Sequence, residues 1–130
     1  MSNLTDFALL FQMMMGPRIQ AVSKIHSYLL TEQLPKDIII KPLAPNCAKF
    51  EIQLPGSQGI CLSVVCPMDA HPPDDCSFWV ESALLKDDHI VYSSNAGYDD
   101  VCRFYSKKDF IAEILRISEL ARNNMIMFNE

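Results

Sequence analysis

Cys61, Cys66, His71 and Cys76 recur at every fifth position, and all four side chains are competent zinc ligands. Three cysteines with one histidine is a familiar structural zinc set. The spacing argues against it, because paired ligands on a zinc knuckle are separated by about two to four residues. Cys61 and Cys66 also fall on one expected strand, where an odd separation points them to opposite faces. A regular strand cannot aim both at one ion. The ladder is therefore read as ordinary strand and loop residues, with no cofactor expected.

A catalytic thiol is the other chemistry on offer. Gly59-Ile60-Cys61-Leu62-Ser63 resembles the active-site stretch of ubiquitin-conjugating enzymes, in which Gly-x-Ile-Cys-Leu-Asp is common. That resemblance implies a nucleophilic role for Cys61. It covers five residues, and the family's His-Pro-Asn tripeptide is missing upstream. A helix, three strands and the proline-rich loop Pro67 to Pro73 are similar to the non-catalytic RWD relatives of those enzymes. The proline spacing and the extra strands from Leu85 to Tyr105 depart from that pattern. A reactive thiol also needs a positive neighbourhood, and none is supplied nearby in sequence.

The remaining constellations are weaker. His26 falls on the apolar side of a helix, where a ring N–H donates to a backbone carbonyl in the usual structural role. The four glycines are isolated, so no phosphate-cradling loop exists. A triple of Ser94, His71 and Asp99 can be written, but nothing elbow-like surrounds the serine.

The loop from Pro67 to Asp75 is more informative as a surface. Its prolines lower the ordering cost of presenting side chains to a partner. In a simple meander it shares one end of the sheet with Ser93 to Asp100. Asp69, Asp74 and Asp75 then lie near Asp99 and Asp100, with His71 among them. Such an acidic pole attracts a basic peptide or, more weakly, a divalent cation. The bland alternative is that aspartate favours turns.

The elements that position these residues follow from periodicity. Residues 1–16 read as an apolar, Met-rich helix with Asn3 or Thr5 as its cap, ended by Gly16-Pro17. Residues 17–34 read as a second helix with proline in its first turn. There Ile19, Val22, Ile25, His26, Leu29 and Leu30 oppose Gln20, Lys24, Ser27 and Thr31. Residues 38–105 read as an antiparallel sheet of five to six strands. Ala48, Phe50, Ile52 and Leu54 alternate with Lys49, Glu51 and Gln53. Turns follow at Pro55 to Gly59 and at Lys86 to Asp88. Residues 106–123 read as the last helix, with Ser106 and Asp109 as a capping box. Residues 124–130 read as a loose tail. The expected class is α+β: one domain, an antiparallel meander with two N-terminal helices and one C-terminal helix packed against it.

Composition narrows the function. The chain has 130 residues, 49% apolar and 21% charged, which suits one folded domain and not disorder. A net charge of -5, with eleven scattered basic residues, disfavours nucleic acid. The apolar run near the start is too short to span a bilayer and has no basic flank, so no membrane partner is expected. Five cysteines, an odd number, fit reduced thiols and a cytoplasmic, intracellular setting.

Leu4 to Met15 holds the apolar residues Leu4, Phe7, Ala8, Leu9, Leu10, Phe11, Met13, Met14 and Met15. On a helical wheel most of these share one core-facing arc, and only Leu9 and Met13 fall among polar positions. The expected function is a non-enzymatic interaction or adaptor module that binds a protein partner or a second copy of itself. Its contact residues are Leu9 and Met13, with the acidic group Asp69, His71, Asp74, Asp75, Asp99 and Asp100. The alternative is a cysteine- or histidine-dependent, or metal-assisted, enzyme centred on Cys61 to Cys76.

Overall fold

Alternation along the strands decides which face of the sheet is covered. Phe50 and Ile52 are buried while Lys49 and Gln53 are exposed, and Ile60, Leu62 and Val64 are buried while Cys61, Ser63 and Val65 are half-buried. A side chain reverses face at each residue of a strand, so one face is apolar and one is mixed. The computed structural model describes residues 2–44, 47–66, 78–91 and 102–127. Its elements are α1 (Ser2–Thr31), β1 (Ile39–Ile40), β2 (Lys49–Gln53), β3 (Ile60–Val65), β4 (Val80–Lys86), β5 (His89–Ile90), β6 (Cys102–Phe104) and α2 (Lys107–Arg122).

The sheet is an antiparallel meander in the order β1-β2-β3-β4. Two short strands share the outer edge of β4: β5 pairs with Leu85 and Lys86, and β6 pairs with Val80 to Ser82. Both helices supply the core that covers the apolar face. Val22, Ile25 and Leu29 of α1 and Phe110, Ile114, Ile117 and Ala121 of α2 join Phe50, Ile52, Leu62, Val64 and Leu84 in one cluster. Each fully buried side chain of this size contributes roughly 1.5–3 kcal/mol. Phe110 bridges the layers, with ring centroids 5.3 Å from Phe104 and 6.0 Å from Phe78. The result is an α+β sandwich, sheet on helices.

Two helices are present among the described residues, not the three that the sequence suggests. The expected pair at 1–16 and 17–34 is one helix of 30 residues that runs through Gly16-Pro17. Proline at this point removes the N–H that would bond the Met13 carbonyl. Part of its clash with the residue before it is with a Cβ, and Gly16 has none. Strong helix formers on both sides carry the helix across the gap. Leu30 also departs from expectation, being 61% exposed, whereas Val22, Ile25 and Leu29 point inward as the spacing requires.

The end of the chain differs as well. The expected loose tail of 124–130 is pinned as far as the description reaches, residue 127. Asn124 adopts φ 55, which turns the chain back after α2. Its Oδ1 accepts the backbone N–H and the hydroxyl of Ser57 at 2.9 and 3.1 Å. Gln58 Nε2 donates to the Ile126 carbonyl at 2.7 Å, and the Ile126 side chain is buried in the core.

Candidate functional site

The mixed face of the sheet carries the titratable and nucleophilic groups, and the register places them in rows. Directly opposed residues in antiparallel strands share a face. One row runs Ile39, Gln53, Cys61, Leu85, Ile90 across β1 to β5. The next holds Lys41, whose N–H donates to the Glu51 carbonyl, then Glu51, Ser63 and Ala83. A third runs Lys49, Val65, Glu81, Arg103. Ile39 and Ile90, at the ends of the first row, are 49% and 41% exposed.

Cys61 sits at the middle of that first row, in an open depression of about 240 Å³ lined also by Lys41, Glu51, Gly59, Leu85 and Asp87. The Lys41 ammonium lies 3.2 Å from Glu51 Oε1 and lines the same depression as the Cys61 thiol. Burial pushes the Cys61 thiol above its ordinary range. Lys41 opposes that rise and Glu51 adds to it. Glu51, by its hydrogen bond, in turn holds the Lys41 ammonium more firmly protonated. A cation committed to a carboxylate is a poor activator of a thiol, so Cys61 lacks the electropositive setting of a nucleophile. The depression is also lined by a two-residue turn in which Asp87 and Asp88 have φ 52 and 66. Such a turn requires left-handed backbone, which aspartate tolerates better than most residues.

Cys66 belongs to the other face. It is buried, its thiol donates to the Trp79 carbonyl at 3.6 Å, and its own carbonyl accepts from Arg18 Nη2 at 2.8 Å. Burial raises its thiol as well, against the opposing charge of Arg18. Cys61 and Cys66 thus point apart. None of the described cysteines is in a disulfide. No group of three or more metal-competent side chains forms among the described residues.

No protein-family model matches the chain, and no curated protein or solved structure is significantly similar to it.

The remaining expected site residues divide simply. His71 and Cys76 lie outside the described residues, as do Asp69, Asp74, Asp75, Asp99 and Asp100, so the acidic pole is not described. Leu9 is described and is 59% exposed on α1. The side chain of Met13 lies outside the described residues. His26 has the structural role: its Nε2 lies 2.9 Å from the Lys41 carbonyl, and a carbonyl can only accept, so this nitrogen carries the proton. Its ring meets Phe50 edge-on at 4.9 Å.

Lys41, Ile39 and Ile90 were not singled out by sequence reasoning. Two turn lengths set the part of the row from Gln53 to Ile90. The turn Asp87-Asp88 fixes Lys86 opposite His89, and hence Leu85 opposite Ile90. The connection Leu54 to Gly59 fixes Gln53 opposite Cys61. Loop length, not residue type, assembles the row.

No described helix is long and apolar enough to cross a membrane.

Proposed function

We propose that this protein is a non-enzymatic interaction module that binds a protein partner through the N-terminal half of α1. The observation that carries the reading is Leu9, a large apolar side chain with more than half of its surface in water. It lies on the stripe that Gln20, Lys24 and Ser27 continue further along the helix, all three exposed. The outward stripe is polar where α1 covers the sheet and apolar at Leu9. From Leu4 to Pro17 the only charged residue is Asp6. The fitting partner surface is therefore apolar and uncharged, and the methionines suit adaptable contacts.

The thiol chemistry at Cys61 supports this reading indirectly, since both partners of the thiol favour its neutral form or are already paired. The test is co-purification of the tagged chain compared with Leu9→Lys/Met13→Lys, with native mass spectrometry of both. Loss of a stoichiometric partner from the variant, with its helicity unchanged, is the expected result. A partner retained by the variant, or stoichiometric zinc on the purified chain, overturns the reading.

A further inference from the structure

We propose that the β2–β3 turn and residues 124–127 form a releasable clasp, and that a phosphoryl group on Ser57 opens it. The inference stands whether or not α1 binds a partner.

Asn124 joins the two halves of the clasp. α2 ends in a Schellman turn, in which the Met125 N–H donates to the Leu120 carbonyl at 2.8 Å and the Asn124 N–H to the Ala121 carbonyl at 3.0 Å. Glycine is the usual residue at the left-handed position, since it carries no Cβ. Asparagine stands there instead, and its side chain is put to use. Oδ1 accepts both the backbone N–H and the hydroxyl of Ser57, at 2.9 and 3.1 Å. Next along the chain, Gln58 Nε2 donates to the Ile126 carbonyl at 2.7 Å, and the Ile126 side chain is 1% exposed. Met125 and Met127, on either side of it, are exposed. One buried side chain and hydrogen bonds from two adjacent turn residues therefore fasten this segment. Such a segment opens at a lower free energy than the sheet it leans on.

Ser57 is the position at which charge acts. It is exposed, and its hydroxyl donates to an oxygen that can only accept. Phosphoserine replaces that donor with acceptor oxygens and about −1.5 to −2 charge at pH 7. Turning the Asn124 amide to offer Nδ2 would take the acceptor away from the Ser57 N–H. The neighbouring Gly56 packs against the Ala121 carbonyl, so the phosphate arrives at the C-terminal end of α2. The helix dipole is negative there, and an added anion is disruptive. Arg122, the basic residue of that last turn, is already paired with Asp37 and Glu119.

The modification is an ordinary group transfer. A protein kinase moves the γ-phosphoryl group of a nucleoside triphosphate to Ser57 Oγ. The P–O bond to the departing diphosphate breaks, and the hydroxyl proton passes to the kinase's base. The kinase reaches Ser57 while the clasp is open, and the phosphate then holds it open.

The experiment is hydrogen exchange with mass spectrometry on the full chain carrying phosphoserine at position 57, introduced by stop-codon suppression. Amides of residues 123–127 are expected to exchange about tenfold or more faster than in the unmodified chain, while β2 to β4 keep their rates. Ser57→Ala loses the hydroxyl and keeps the N–H bond, so its acceleration should stay below about threefold. Asn124→Gly keeps the left-handed turn and removes the acceptor, so phosphoserine should accelerate exchange less in it than in wild type. Equal exchange with and without the phosphate overturns the proposal. So does acceleration spread equally through β2 to β4, a Ser57→Ala chain that matches the phosphorylated one, or an undiminished phosphate effect in Asn124→Gly. Phosphopeptide mapping of the chain isolated from its own cells tests the modification itself. Phosphate is expected on Ser57, and its absence there overturns the assignment.

Discussion

A Cβ built on Gly56 lies 2.0 Å from the Ala121 carbonyl oxygen, so the turn between β2 and β3 touches the backbone at the end of α2 with no room for a side chain. The neighbouring Ser57 is held by Asn124, and Gln58 by the Ile126 carbonyl. These contacts join residues more than sixty apart in sequence, and they close the lower end of the sandwich.

Gly56→Ala is therefore expected to be severe. It adds a side chain at φ 94 and forces the turn away from α2. Left-handed strain alone is worth about 1–2 kcal/mol, and parting the contact brings the expected loss to about 3 kcal/mol. Gly59→Ala is the control, because its φ is 69 but nothing lies within 4 Å of the added carbon. Urea denaturation of both variants separates backbone strain from the contact. Equal losses refute the close approach at Ala121.

Arg122 ties the same region to the start of β1, donating to both carboxylate oxygens of Asp37 at 2.7 and 2.9 Å, and it also pairs with Glu119. The hydrogen bonds from Arg122 hold the Asp37 carboxyl below its ordinary value of 3.8. A folded-state pKa below the unfolded one stabilises the protein above the unfolded value. That contribution disappears as pH falls through the lowered one. The pair is solvated, so the effect is small. Urea midpoints of wild type and Asp37→Asn should differ at neutral pH, and the difference should shrink as pH falls through the lowered value. A difference that stays constant as the carboxylates of the folded protein are titrated refutes the pairing.

Features governed by neighbours in sequence were legible. The alternation at Phe50 and Ile52 gave the strand and its inner face, and Ser106 caps α2 by accepting the Asp109 N–H at 3.0 Å. The continuous α1 was not legible, because Gly16-Pro17 carries a local stop signal that long helical flanks override. Nor was the anchoring of Ile126, since a single buried residue after a helix has no periodicity to reveal it. The row through Cys61 needed strand register, which depends on turn geometry and not on the strands themselves. The acidic pole lies beyond the described residues.

The depression at Cys61 makes a prediction about thiol chemistry. Glu51 raises the Cys61 pKa and engages Lys41, which lowers it. Glu51→Gln removes the first effect and releases the second. The pH profile of alkylation at Cys61 should shift to lower pH, with a several-fold faster reaction near neutrality. Lys41→Met should move it the other way. Rates followed by peptide mass spectrometry decide this, and coincident profiles in all three proteins refute the coupling.

Pro17 offers the sharpest test of α1. Within a continuous helix a proline leaves a carbonyl without its intrahelical partner and crowds the preceding turn, a penalty of about 3 kcal/mol in a helix interior. Pro17→Ala restores the N–H that bonds the Met13 carbonyl and should raise both helicity and the melting temperature. Relief is expected to be about 1–3 kcal/mol, since Gly16 already softens the clash. If Gly16-Pro17 instead separated two helices, the proline would occupy a first turn, where its fixed φ is favourable and no N–H is missed. The same substitution would then be neutral or slightly destabilising. Far-ultraviolet circular dichroism with thermal denaturation distinguishes the two by the sign of the change.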